Sequence, residues 1–141
     1  MLESLSSDPL KRACKIIDCA LETLKKVLGK SDSEVLSSEL ETYALKGSAL
    51  SLVQGFLDLA NYLSAIKEYH PLNYSDMILY LIQNDIVDKE YEKLAIKLVD
   101  LRNKLLFVNS GEYVGDLLNF LRENLKRIEE LCNSLIRACL S

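Results

Sequence analysis

Apolar residues recur every three or four positions along most of the chain, the spacing of one face of an α-helix. The first such segment begins at Asp8-Pro9, a capping residue followed by a proline in the first turn, and ends at Gly29. Ser31 and Glu34 have the spacing of a capping box, which predicts the start of a second helix. That helix is expected to continue to about Tyr69, because His70 precedes Pro71 and a residue before proline is disfavoured in a helix.

The second segment is apolar on most of its circumference. One stripe consists of Leu45, Ala49, Leu52, Phe56, Leu59, Leu63 and Ile66. A second stripe beside it consists of Leu50, Val53, Leu57 and Ala60. Between the stripes runs a line of small and polar residues, here called the polar line, consisting of Gly47, Ser51, Gln54, Asp58 and Asn61. This pattern predicts a helix that is central in a bundle or lies in a subunit interface, with a line along which another helix can approach closely.

The rest of the chain predicts three more helices. A short helix covers about Ser75 to Asn84, and Asp88 is placed to cap the next one. The apolar positions of that helix are Leu94, Leu98, Leu101 and Leu105. Asn109-Ser110-Gly111 predicts a break, and an unbroken four-three alternation from Val114 to Cys139 predicts the last helix. We therefore predict one all-α domain over residues 1–141, an up-and-down four-helix bundle with an additional short helix.

Composition and charge narrow the function classes. The 141 residues carry a net charge of −4, which argues against a broad nucleic-acid surface but leaves a local basic pocket open. We find no apolar run near the ~18–20 residues of a membrane span and no leader pattern, so we expect a cytoplasmic protein without membrane contact. The four cysteines form no CxxC pair, there is one histidine, and no phosphate-binding loop is present. We therefore expect neither a metal nor a cofactor.

Arg102 stands out among the charged residues, because the pattern places it on or beside the apolar stripe of its helix. It follows Leu98 by four positions and precedes Leu106 by four, and residues four apart share a helix face. A guanidinium there either extends to the edge of the stripe, pairs with a carboxylate such as Asp58, or points into a functional cleft, which a dimer interface could form.

The order of these elements resembles the HepT-like branch of the HEPN superfamily. The resemblance rests on the long second helix with Asp58 to Ala60, on the turn Asp85 to Glu90, and on Leu98 to Phe107 with Leu-Arg-Asn-Lys-Leu at its centre. It implies a dimeric all-α protein, often encoded beside a minimal nucleotidyltransferase partner. In ribonuclease members of the family, an arginine and a histidine from the two protomers cleave RNA at the dimer interface without a metal.

The resemblance assigns Arg102 and Asn103 to the start of the family motif. The position of the motif histidine is Phe107, and the position of a tyrosine that HepT-like members often carry is Asn109. Phenylalanine cannot transfer a proton, so the general acid–base contribution is absent from that position. Tyr113 is the nearest tyrosine that could supply the hydroxyl missing at Asn109. The comparison therefore predicts a homodimeric, catalytically degenerate homologue of a ribonuclease toxin, which binds a nucleotidyltransferase partner and the phosphate of a nucleotide or RNA.

Two alternatives remain open at the level of sequence. The chain could be an active metal-independent ribonuclease of a toxin–antitoxin pair, with proton transfer by His70 or a tyrosine. It could also be a non-catalytic adaptor bundle that docks a partner on the wide apolar surface of the second helix.

Overall fold

A computed structural model describes residues 8–107 and 113–141, and every regular element in these two ranges is helical. The helices in chain order are α1 (Asp8–Leu28), α2 (Asp32–Leu36), α3 (Glu39–Ile66), α4 (Tyr74–Gln83), α5 (Glu92–Phe107) and α6 (Val114–Leu140). Their buried apolar side chains form one hydrophobic cluster. The predicted all-α helical bundle is thus confirmed, with four long helices and two short ones.

The capping box at the start of α2 is formed as predicted. The Ser31 hydroxyl accepts a hydrogen bond from the Glu34 backbone N–H, and the Glu34 carboxylate accepts one from the Ser31 backbone N–H, each at 3.2 Å. Because both exposed donors are satisfied, the chain re-enters a helix only three residues after α1 ends.

The prediction of one continuous helix from Ser31 to Tyr69 was wrong, because the chain breaks at Ser37 and Ser38. Ser38 is extended, and its hydroxyl accepts a hydrogen bond from the Glu41 backbone N–H at 3.2 Å, which makes it the N-cap of α3. Serine side chains compete with the helical backbone for such bonds, and two in succession favour a new start over a continuous helix.

α3 is the central helix of the bundle, and α1, α2, α4, α5 and α6 all pack against it. The first predicted stripe is buried except for Ile66, which is 47% exposed at the end of the helix. The second stripe is buried except for Leu50, which is half-buried. The polar line faces outward, with Gln54 half-buried and its four other residues exposed. The helix is thus buried on its apolar faces and open along one polar face.

α3 is also long and apolar enough, by length and composition alone, to cross a membrane. We did not expect such a segment from the sequence, because its polar residues interrupt every apolar run. In the fold, 56% of its most apolar stretch is buried against the other helices. Packing in the core therefore accounts for the apolar character of α3.

The C-terminal end of α3 lies four residues before the predicted stop at His70-Pro71. Lys67 caps the helix, and Glu68 adopts a left-handed backbone conformation with φ 59°. The Tyr69 backbone N–H then donates to the Ser64 carbonyl at 2.9 Å, which closes the helix end. Residues 67–73 then connect α3 to α4.

The start of α5 differs from the prediction in one respect. Asp88 caps a 3₁₀ turn at Lys89–Tyr91, and α5 follows from Glu92, so Asp88 caps α5 only through this turn. The predicted break at Asn109-Ser110-Gly111 lies outside the described residues. In α6 the predicted alternation is buried except for Leu125 and Cys139, which are half-buried.

Candidate functional site

Arg102 lies at the edge of the buried face of α5. Leu98 and Leu101, on the preceding turn, are buried, whereas Leu106, on the following turn, is 44% exposed. The Arg102 side chain itself is half-buried. The position of Arg102 beside the apolar stripe agrees with the helical spacing of the sequence. This position leaves the side chain partly accessible to solvent.

A chain of two hydrogen bonds links Arg102 to α3. Arg102 Nε donates to Gln54 Oε1 at 3.2 Å, and Gln54 Nε2 donates to Asp58 Oδ1 at 3.0 Å. The expected alternative of a direct pair with Asp58 is therefore replaced by a contact through Gln54. Asp58 is exposed and one turn further along α3. Within residues 8–107 and 113–141, no carboxylate forms an ion pair with Arg102.

An aromatic ring also lies next to the guanidinium. The Arg102 guanidinium carbon lies 5.1 Å from the centre of the Tyr74 ring, a distance at which a cation is attracted to the ring face. Tyr74 is the first residue of α4. Its position therefore depends on how the connection between α3 and α4 is folded.

That connection is held by a set of local hydrogen bonds. Asn73 caps α4, its side chain accepting from the Asp76 backbone N–H at 2.8 Å. The Asp76 carboxylate accepts from the Leu72 backbone N–H at 2.8 Å and from the Tyr69 hydroxyl at 2.7 Å. These bonds lower the pKa of Asp76 and raise the pKa of Tyr69. The start of α4, and with it Tyr74, is thereby fixed.

A cavity of about 320 Å³ opens beside Tyr74. It is lined by Asn61, Pro71, Asn73, Tyr74 and Met77. His70 is exposed and directly precedes Pro71, so the only histidine of the chain lies in the segment that forms this cavity wall. The sequence placed His70 at a helix end, whereas in the structure it lies in the connection between α3 and α4. Through Tyr74, the cavity borders the group formed by Arg102, Gln54, Asp58 and Tyr74, here called the Arg102 cluster.

The other motif positions fall partly outside the described structure. Asn103 is exposed on α5 next to Arg102. Phe107 is the last residue of α5, but its side chain, like Asn109, lies outside the described residues. Tyr113 is half-buried before α6, with Lys104 Nζ 5.4 Å from its ring centre, and burial followed by the nearby Asp116 raises its pKa. A raised pKa keeps this hydroxyl protonated at neutral pH.

A second, larger opening lies between α1 and α3, and sequence reasoning did not anticipate it. This groove has a volume of about 580 Å³, and the polar line contributes Gly47 and Ser51 to it. Its α1 wall includes Arg12, Lys15 and Ile16. The signal was available in the sequence, because Arg12, Ile16 and Cys19 follow one face of α1 at helical spacing.

Most of the tyrosines occupy boundary positions between the core and the solvent. Tyr43 is the exception, since it is 73% exposed at the rim of the groove between α1 and α3. The rest of the set is half-buried and consists of Tyr62, Tyr69, Tyr74, Tyr80, Tyr91 and Tyr113. Of these, Tyr74 alone has a described contact with Arg102.

We compared the chain with protein families, curated proteins and solved structures and found no relative. The chain matches no protein-family model. It also matches no curated protein and no solved structure. These comparisons leave the resemblance to the HEPN superfamily an expectation from the sequence, and the candidate site is defined by its geometry.

Proposed function

We propose that this chain is a dimeric HepT-like protein of the HEPN superfamily that binds the phosphate of RNA or of a nucleotide at Arg102 and has lost ribonuclease activity. The observation that carries the proposal is the state of the Arg102 guanidinium. It is half-buried and hydrogen-bonded to a neutral amide, and no described carboxylate neutralises it. A guanidinium in this state favours an external oxyanion as its partner.

Loss of cleavage follows from the chemistry of the motif. Metal-independent cleavage of RNA needs a group that moves a proton, a contribution of about 10²–10⁴-fold in rate. Phenylalanine at position 107 has no such group. The guanidinium of arginine donates hydrogen bonds and has no acceptor, so Arg102 can hold a phosphate but is not suited to act as the base.

The polar line on α3 supports a dimer. Its residues are exposed or half-buried, and Gly47 and Ser51 are small enough to let another helix approach closely. Gln54, which holds Arg102, belongs to the same line. Twofold contact along this line would bring the Arg102 clusters of both protomers together, which is the arrangement that the family resemblance implies.

Binding at Arg102 is tested with a short fluorescein-labelled single-stranded RNA, using fluorescence anisotropy at low salt. Arg102→Ala is expected to weaken binding at least about tenfold, because a hydrogen bond to a charged group contributes about 1.5–3 kcal/mol. Arg137→Ala, which removes the same charge from an exposed position on α6, is the control and is expected to change the affinity little. An equal loss of RNA affinity in both variants would show that only the net charge of the protein matters, and it would contradict the proposal.

The dimer is tested by sedimentation equilibrium at tens of micromolar protein. Ser51→Arg places a large charged side chain on the polar line and is expected to give a folded monomer. Asn133→Arg introduces the same side chain at an exposed position of α6, and this variant is expected to remain a dimer. A wild-type monomer at these concentrations would contradict the dimer.

The nucleotidyltransferase partner is a further part of the proposal and comes from the family resemblance. Where the neighbouring reading frame encodes a small nucleotidyltransferase, co-expression is expected to give a complex that stays intact in size-exclusion chromatography. Separate elution of the two proteins at micromolar concentration would remove this part of the proposal and leave phosphate binding untouched.

A second candidate, an active ribonuclease that uses His70, is favoured by one observation. His70 lies in the connection that forms the cavity next to Tyr74 and the Arg102 cluster. Incubation of the purified dimer with single-stranded RNA decides between the two candidates. Cleavage that is lost in both Arg102→Ala and His70→Ala would establish the active ribonuclease, and an absence of cleavage would leave the binding protein.

A further inference from the structure

We infer that Gln54 is the positioning residue of the Arg102 site, and that Asp58 sets its orientation so that Arg102 presents its outer edge to an oxyanion. This inference rests on the proposed phosphate binding at Arg102 and specifies how the ligand approaches. It is based on two consecutive hydrogen bonds, from Arg102 to Gln54 and from Gln54 to Asp58.

Asp58 determines which atom Gln54 offers to Arg102. A side-chain amide has one accepting and one donating end, and an ionised carboxylate only accepts. Because Gln54 and Asp58 are four positions apart on α3, they face the same side of the helix. The Asp58 carboxylate binds the Gln54 NH₂ group at 3.0 Å, which turns the Gln54 oxygen toward Arg102. A reversed amide would set two donors against each other.

The neutral amide holds the guanidinium without cancelling its charge. Nε of Arg102 donates its hydrogen bond to Gln54, and the centre of the Tyr74 ring lies 5.1 Å from the guanidinium carbon. Among the described residues, neither Nη1 nor Nη2 of Arg102 takes part in a hydrogen bond. Among the described residues, the edge that carries both Nη atoms therefore keeps its hydrogen-bond donors for a ligand. Two parallel bonds to the oxygens of one phosphate group fit this edge.

Glutamate at position 54 separates this role from a purely structural one. Gln54→Glu would form an ion pair with Arg102 and so neutralise the guanidinium, but it would also lose the hydrogen bond to Asp58 and set two carboxylates side by side. Because these effects on stability oppose each other, we expect little change in the unfolding temperature, together with RNA binding at least about tenfold weaker, the usual effect of losing a hydrogen bond to a charged group. A purely structural role would weaken binding only as far as stability falls.

Methionine at position 54 removes the acceptor while keeping the length of the side chain. In Gln54→Met we expect RNA binding about three- to tenfold weaker, because Arg102 then has to be ordered by the ligand. The matched control is Gln83→Glu, the same chemical change as Gln54→Glu at an exposed position in the last turn of α4. It is expected to alter neither stability nor binding measurably.

A measurement without RNA keeps this inference separate from the proposed function. In ¹⁵N-labelled protein, the Arg102 Nε–H signal is assigned by its loss in Arg102→Ala, and its exchange with water is measured in the unliganded state. We expect protection in the wild type, protection in Gln54→Glu, and fast exchange in Gln54→Met. Unchanged protection in Gln54→Met, or wild-type RNA affinity in Gln54→Glu, would overturn the inference. Wild-type RNA affinity in Arg102→Ala would instead overturn the proposed function, while the exchange data would still decide whether Gln54 positions Arg102.

Discussion

Gly55 on α3 lies directly against the side chain of Ile17 on α1, so close that a Cβ at position 55 would stand 2.6 Å from Ile17 Cγ1. Both residues are buried. The contact lies in the most extensive helix pair of the fold, α1 with α3. A glycine at this position is therefore what sets how closely these two helices approach.

Gly55→Ala is expected to destabilise the fold by about 1–3 kcal/mol, the usual cost of overpacking a core. Ile17 is branched at Cβ and cannot rotate freely to relieve the overlap. Chemical denaturation followed by circular dichroism measures the loss. In an Ile17→Ala background the loss on changing Gly55 to alanine should shrink, because the overlapping atom is absent. An equal loss in both backgrounds would contradict the steric explanation.

Gly47→Ala is expected to act in the opposite direction. A Cβ at position 47 meets nothing within 4 Å, and the residue is exposed inside α3. Alanine in an exposed helix interior is favoured over glycine by about 0.5–1 kcal/mol, which should appear as a higher unfolding free energy in the same denaturation experiment. Gly47 also belongs to the polar line, so sedimentation equilibrium should reveal weaker self-association. A loss of stability at protein concentrations where the chain is monomeric would contradict this prediction.

The helices that could be predicted from sequence are those with local signals. The Ser31–Glu34 capping box and the four-three alternation of α6 are both present as predicted. The break at Ser38 and the early end of α3 at Ile66 were missed, because apolar residues continue at helical spacing across both places. Periodicity reports which face is buried, but it does not report where serine caps or a left-handed Glu68 interrupt the helix.

The candidate site shows the same division between local and long-range information. Spacing alone placed Arg102 at the edge of an apolar stripe, and it placed Gln54 and Asp58 on one face of α3. It could not select Gln54 over Asp58 as the partner, because that choice depends on how α5 packs on α3, 48 positions away in sequence. The covering ring of Tyr74 was missed for the same reason.

Asp76 is expected to make the fold sensitive to acid. The backbone N–H of Leu72 and the hydroxyl of Tyr69 hold the pKa of this carboxyl below its usual 3.8. A carboxyl with a lowered pKa stabilises the fold above its unfolded-state pKa, and that stabilisation is lost as the pH falls through the folded-state pKa. Thermal unfolding across acidic pH should therefore show a smaller loss of stability in Asp76→Asn than in the wild type. Asp100→Asn, at an exposed position on α5, is the control and should follow the wild-type curve.

The four cysteines are expected to react with a thiol reagent in the order of their exposure. All four are free, with Cys19 exposed and Cys14 and Cys132 buried. Burial, and then the charge of Asp18, raise the pKa of Cys14, so little of the reactive thiolate is present at neutral pH. Mass spectrometry during maleimide labelling should show one fast addition, which Cys19→Ser removes. Early modification of Cys132 in the native protein would contradict this order.

The thiol of Cys132 is also expected to weaken the fold in alkaline solution. Burial, with a smaller contribution from Glu129, raises its pKa from 9.0 to about 12. Because the folded state holds this proton more tightly than the unfolded state, the stabilisation is complete below pH 9.0 and is lost as the pH rises through about 12. The unfolding free energy of Cys132→Ala should therefore fall less steeply over this interval than that of the wild type, whatever its value at neutral pH. Cys19→Ala removes an exposed thiol instead and should keep the wild-type slope. Equal slopes for all three proteins would show that the Cys132 proton does not contribute to the alkaline transition.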